Sequence, residues 1–507
     1  MTENIPKQPE AFLSSENGMG EKVALRQSRK GGLNKFWAVT VTLAATVIAV
    51  TTVLAFKARH ESQSASVDHK ITSSSNVTSD TFAEATFKFT ASSFQYRPYD
   101  PTKGPGVIGY WASWSQYRDA THTDDQVWPD LINWSKFSVL SYAFFGAHAD
   151  GSVFELDAWG DQFGFKAVQA ARANFPDLKL VASIGGWTGS GNFSNIAASD
   201  VTRKAFASSV KAFLDQNGFD GVDIDWEYPG GGGLPCNVVR PDDVTNFVAL
   251  LQELRSQLGS DRLISIAASS NVNQYAIGDK NYIKDISNAV SYINVMTYDL
   301  YGPWSPTSDF NAPLRQPQSS DGLNEPLGSS NNVEYVMQSF TNSGVLFSKL
   351  TVGLPFYGRS WAVANGGNGG LYQECASAPT ASGTCVAIQG DMTDVAEGND
   401  PCGAKNGLSG TWSWRNLRTQ PNAPLANEPG NGANGWIRTY YDSLASTGLY
   451  NPNYKGQATF IGIDDPQALY AKAKWSKNRN FGGVMIWEVD FDYKHELTTA
   501  VLAGWTA

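Results

Sequence analysis

Histidine is scarce, with five in 507 residues, at positions 60, 69, 122, 148 and 495, and none stands at a metal-ligand spacing from another His or a Cys. No metal site is therefore expected, and no cofactor motif is evident. Charge is thin as well: only 17% of residues are charged and the net charge is −10. That balance leaves no basic footprint for nucleic acid and favours a neutral or small polar partner. Cysteine is limited to Cys236, Cys375, Cys385 and Cys402. Four fits two disulfides in an oxidising compartment, with three connectivities open, or else buried thiols.

Aromatic residues are plentiful: 16 Trp, 20 Tyr and 26 Phe make up 12% of the chain. Core and rim packing accounts for most of them, but flat faces also suit sugar rings. One apolar run stands out. The 21 residues Phe36 to Phe56 carry no charge, and as a helix they would span roughly 31 Å, enough to cross a bilayer core of about 30 Å. A polar tail of 35 residues precedes the run, unlike a cleaved leader, so an uncleaved signal-anchor is expected. Lys22, Arg26, Arg29, Lys30 and Lys35 put the amino terminus in the cytosol, as residues 1–35, and everything after the span outside or in a lumen. A long signal sequence removed from a secreted enzyme is the alternative.

Residues 57–106 turn to Ser, Thr and Ala without apolar spacing and read as a stalk. Sequons at Asn76, Asn133 and Asn192 are consistent with an outward location. From Val107 to Ala507, eight short apolar runs begin at Val107, Phe137, Leu178, Gly218, Leu263, Ser291, Leu350 and Gly482. Helical spacing between them, as in Val244, Phe247, Leu251, Leu254 and in Val333, Val336, Met337, Phe340, predicts an α/β fold, a (β/α)8 TIM barrel. The seventh connection is oversized, Gly-rich and holds three of the four Cys. A loop of that length without structure is improbable in a compact domain, which predicts a small α+β insertion at about 361–459.

The fourth run, FDGVDIDWEYPG, sets Asp220, Asp223, Asp225 and Glu227 into one strand. Alternation points Asp223, Asp225 and Glu227 into the barrel and Val222, Ile224 and Trp226 toward the helices. Three acids so confined cannot all ionise cheaply, so at least one keeps its proton near neutral pH, which is what a general acid needs. Glu227, nearest the carboxyl end of the strand, is the residue placed to meet substrate. A metal or salt-bridge cluster would require His or basic residues at the other strand ends, where Ser183, Tyr298, Asp299 and Trp487 stand instead.

The spacing DxxDxDxE resembles the signature of the family 18 glycoside hydrolases, the chitinases. SIGGW at Ser183–Trp187, MTYD at Met296–Asp299, GPWS from Gly302, NAPL from Asn311, GLPFYGR at Gly353–Arg359 and the late Trp487 are similar to further motifs of that family, in its order, and the fungal members are most alike. The resemblance covers 107–507 and implies chitin hydrolysis with retention, assisted by the substrate's own acetamide. Glu227 would protonate the glycosidic oxygen, Asp225 would hold the acetamide N–H, and Asp223 would share its proton with Asp225. Tyr298 would bond the acetamide carbonyl and Asp299 would assist at that sugar. Trp487 would floor the cleavage site, with Tyr110, Phe144, Trp187, Met296, Trp304, Tyr357, Arg359 and Trp361 along the groove; Asp220 and Ser183 support the motif. The alternatives are a silent chitin-binding lectin and an endo-β-N-acetylglucosaminidase acting on N-glycans. No Cys-rich or Trp-paired segment follows the eighth strand, so no separate chitin-binding module is expected, and the enzyme is expected to be a monomer. Within this frame the Cys pair as Cys375–Cys385, close together in the insertion, and Cys236–Cys402.

Overall fold

The computed structural model describes residues 99–118, 132–317, 321, 323, 331–377 and 383–507. The apolar run at 36–56, most of the stalk and Asn76 lie outside these. Among the described residues no helix is long and apolar enough to cross a membrane.

Each apolar run contributes one barrel strand: β1 (Gly106–Ala112), β2 (Val139–Ala147), β3 (Lys179–Gly185), β4 (Gly221–Asp225), β5 (Leu263–Ala268), β6 (Tyr292–Val295), β7 (Leu350–Pro355) and β8 (Gly483–Trp487). All pair in parallel with their neighbours, and β1 pairs with both β8 and β2, so the sheet closes. A short antiparallel strand, Val153–Glu155, is appended to β2. Two side-chain sets fill the two faces of the wall. Ile108, Tyr110, Val139, Ala143, Val181, Tyr292 and Met485 pack inside the barrel. Val222, Ile224, Trp226, Ile264 and Ile266 pack outward with the helices.

The helices that deliver β4 are capped by sequence. Helix Asp200–Asn217 starts on the Ser199 side chain and stops at Gly218, whose φ of 72° is the left-handed conformation glycine adopts at low cost. The chain then turns directly into Phe219 and Asp220. The two periodic stretches form helices Asp243–Leu258 and Val333–Asn342, with their expected apolar residues buried.

The run from Leu350 to Arg359 is two strands. The barrel strand ends at Pro355, and Tyr357–Ala362 begins a separate five-stranded antiparallel sheet with Thr411–Ser413, Ile437–Tyr441, Ser446–Tyr454 and Gln457–Ile463. Phe310, Trp361, Val363, Leu371, Tyr372, Leu444 and Phe460 form a core of their own beside it. Both disulfides, Cys236–Cys402 and Cys375–Cys385, join the expected partners. Of the two described sequons, Asn133 is exposed, whereas Asn192 donates its side-chain amide to the Ala147 carbonyl at 2.9 Å and its Ser194 is wholly buried.

Candidate functional site

Register builds the floor of the site. Ser183 on β3 lies beside Asp223 on β4, which lies beside Ser265 on β5. Both hydroxyls donate to the Asp223 carboxylate, at 2.8 and 2.7 Å, and Tyr110 donates a third bond at 2.8 Å. Tyr110 accepts from Asn294, whose carbonyl oxygen accepts from Thr351. Burial raises the Asp223 carboxyl above its ordinary value, and the three hydroxyls pull it back down. Asp223 is thus a buried acid held by three hydroxyl donors.

Asp225 sits one layer above and is different. It is 4% exposed, and its Oδ1 is buried with no hydrogen-bond partner. Burial, then the charges of Glu227 and Asp223, push its carboxyl well above the ordinary range. A proton held there, or a donor arriving from a ligand, removes the cost of the orphan acceptor. Glu227 follows at the rim. Burial raises it to about 7 against a hydrogen bond from Tyr228, and the Asp299 charge adds to the rise. Its backbone is fixed: the N–H donates to Ser190 Oγ at 2.8 Å, and the carbonyl accepts from Asn237 at 3.2 Å. Gly185 and Gly233 let neighbouring chain come this close, since a Cβ on either would lie 2.2 Å from the Asp225 carbonyl oxygen or 2.0 Å from that of Glu227. Three acids in one column thus stand in graded environments, with the acid that burial raises to about 7 at the rim.

Beyond β6, Tyr298 points its hydroxyl at the Met485 sulfur, 3.8 Å away, a weak contact easily exchanged for a better acceptor. Asp299 is gripped by Arg359 through two bonds of 2.8 and 2.9 Å. The Arg359 guanidinium also lies over the Trp304 and Tyr357 rings, 5.1 and 5.2 Å from their centroids. Tyr357 is buried, and its ring meets Tyr298 edge-on at 6.1 Å.

The aromatic candidates divide. Trp487 stacks on Phe144 with centroids 5.6 Å apart, and Phe144 stacks on Trp114 at 5.9 Å. Trp187 and Trp304 are exposed, and Met296 is half-buried against the barrel interior. Two assignments change. Trp361 is 1% exposed, donates its indole N–H to the Gly302 carbonyl and packs in the core beside the antiparallel sheet, so it is not a groove residue. The strand Tyr357–Ala362 belongs to the antiparallel sheet and carries Trp361 into the core beside it. Tyr110 is likewise interior and serves Asp223. Asp220 lies at the entry to β4, bonded to the Leu180 N–H and Arg172, where it ties strand to helix.

Reading the sequence did not single out Trp114, Ser265, Asn294, Thr351 or Ser190. Asn294 had a signal, a lone amide inside a strand otherwise apolar. Ser265 and Thr351 had none, because small hydroxyl residues are ordinary in buried strands.

Comparison with known proteins places the chain in a family. Residues 106–492 match the family described as glycosyl hydrolases family 18. Chitinase A1 of Niallia circulans is 32% identical over 70% of this chain and 46% of its own. A chitinase-like effector of Moniliophthora perniciosa is 28% identical over 78% of this chain and 86% of its own. Chitinase ChiA74 from Bacillus thuringiensis superposes with a TM-score of 0.64 at 28% identity, covering 80% of this chain and 70% of that one. The chain spans about half the length of Chitinase A1 and 28% of Chitinase ChiA of Flavobacterium johnsoniae.

Proposed function

The chain belongs to family 18 of the glycosyl hydrolases, and we propose that it cleaves the β-1,4 linkages of chitin with retention of configuration. The observation that carries this reading is the unpartnered, buried Oδ1 of Asp225 beside a Glu227 held at about 7. A group whose pKa lies near the working pH both gives and takes a proton efficiently. Glu227 donates its proton to the glycosidic oxygen as the bond to the anomeric carbon breaks. The acetamide carbonyl oxygen of the same sugar attacks that carbon from the opposite face, forming an oxazolinium ion in place of an enzyme ester. Asp225 accepts the acetamide N–H and its charge balances the cation. Asp223 takes up or returns the proton that Asp225 exchanges. Tyr298 exchanges the Met485 sulfur for the acetamide carbonyl. Water then opens the ring, with Glu227 now acting as base.

Asp299 tunes Glu227, and Arg359 orients Asp299. Trp487, Phe144 and Trp114 form an apolar floor and wall for sugar rings, with Trp187, Trp304 and Met296 along the groove and the antiparallel sheet as an inserted subdomain flanking it. Both disulfides support folding in an oxidising compartment. With the sequence of 36–56, they favour a type II membrane protein whose catalytic unit faces outward on the stalk. Incubating the protein with N-acetylglucosamine oligomers beside a glycoprotein tests the reading. Shorter oligomers with initial β-anomers are expected. Release of N-glycans instead, or binding without cleavage, would replace it with one of the two alternatives.

A further inference from the structure

The loop after β4 and the segment after β7 are covalently joined. Cys236 stands nine residues beyond Glu227, and its partner Cys402 lies 166 residues later, between strands Tyr357–Ala362 and Thr411–Ser413. Around the barrel, β5 and β6 separate β4 from β7. The bond therefore ties together the two sides of the sector of the barrel in which β5 and β6 lie, and the β6 end carries Met296, Tyr298 and Asp299.

The joined segment is an arm held at its two ends. At its root the Asp394 carboxylate accepts from the N–H groups of Gly390, Ser409 and Gly410, at 2.8, 3.0 and 2.9 Å. Arg359, which grips Asp299, also reaches Thr411 Oγ1 at 2.6 Å and the Ser409 carbonyl at 3.2 Å. At its tip Asp400 accepts from the N–H groups of Cys402 and Ala404, both at 2.9 Å. Between root and tip, residues 395–399 and 403–407 are exposed. On the other side of the disulfide, Asn237 holds the Glu227 carbonyl. One end of the arm thus rests on the partner of Asp299, and the other is bonded next to the partner of Glu227.

An exposed arm with no core of its own loses its position unless a cross-link removes the alternatives. We infer that Cys236–Cys402 straps this arm across one end of the groove, so that a linear glycan reaches Glu227 by threading from a chain end rather than by settling sidelong into an open cleft. The inference rests on the reading of the protein as a hydrolase of N-acetylglucosamine chains and makes the two cysteines determinants of which part of a polymer is cut.

The test compares the full-length protein with its Cys236→Ser/Cys402→Ser variant on soluble glycol chitin and on the N-acetylglucosamine tetramer. The quantity read is the fall in viscosity per reducing end released. End-on attack lowers viscosity slowly, so the strapped protein should give a low ratio and the variant one several-fold higher, with tetramer turnover retained. Cys375→Ser/Cys385→Ser, which opens a loop within the subdomain and leaves the strap closed, should keep the wild-type ratio. If the first variant does not fold, mild reduction and alkylation of the native protein, with intact near-UV circular dichroism, supplies the unstrapped form. Equal ratios with and without the strap, while the tetramer is still cleaved, overturn the inference, as does a high ratio in the wild type. Failure of the wild type to cleave the tetramer overturns the functional reading itself.

Discussion

Arg359 holds Asp299 by both carboxylate oxygens, at 2.8 and 2.9 Å, and that same Asp299 is a charge that raises Glu227. The pair therefore adds to a rise that burial mainly causes, from a position on the β6 end and on the strand after β7, outside the acid column.

Asp299→Asn removes a negative charge that favours protonated Glu227. The alkaline limb of the kcat/KM profile, expected near pH 7 from the Glu227 value, should move to lower pH. A pH–rate profile on a fluorogenic oligosaccharide checks this, and a limb that stays put or moves up contradicts the coupling.

Glu227→Gln keeps the shape but has no proton to transfer. Turnover should fall about 10²–10⁴-fold while oligosaccharide binding by calorimetry persists. More than about a tenth of wild-type activity would be too small a loss for a general acid.

The same substitution should change stability with a defined sign. Glu227 is raised from 4.5 to about 7 in the fold, so both states are protonated well below 4.5 and the unfolded chain ionises first as pH rises. Wild-type stability is therefore lost between about 4.5 and 7. Glu227→Gln should have the higher Tm at pH 8 and little advantage at pH 4. Thermal scans at the two pH values decide; a gain confined to acid pH has the wrong sign.

Trp114 is 44% exposed and stacks on Phe144. Trp114→Ala should weaken longer oligomers by about 1 kcal/mol, roughly fivefold in KM, with kcat little changed. Steady-state kinetics on trimers through hexamers measures it, and an equal loss at every length would remove Trp114 from the groove.

Glycan mapping of protein made in a secretory host should find Asn133 occupied and Asn192 bare in the folded fraction, because Asn133 is exposed while Ser194 of the second sequon is buried. Occupancy of Asn192 in active protein would refute this.

Much of this was legible in the chain. Strand alternation alone assigns Asp223, Asp225 and Glu227 to one face and Val222, Ile224 and Trp226 to the other, because a two-residue period depends only on local geometry. The eight apolar runs and the oversized seventh connection imply a barrel for the same reason. Parallel register across strands distant in sequence decided what the acids touch: Ser183, Ser265 and Tyr110 converge on Asp223 while Asp225 Oδ1 is left without a donor. The break after Pro355, invisible in a continuous run, starts a strand of a second sheet, whose core buries Trp361. Pattern along a chain records which side of an element is apolar. Which atoms meet across the barrel, and hence how far each carboxyl is raised, follows from desolvation and contacts that exist only once the sheet has closed.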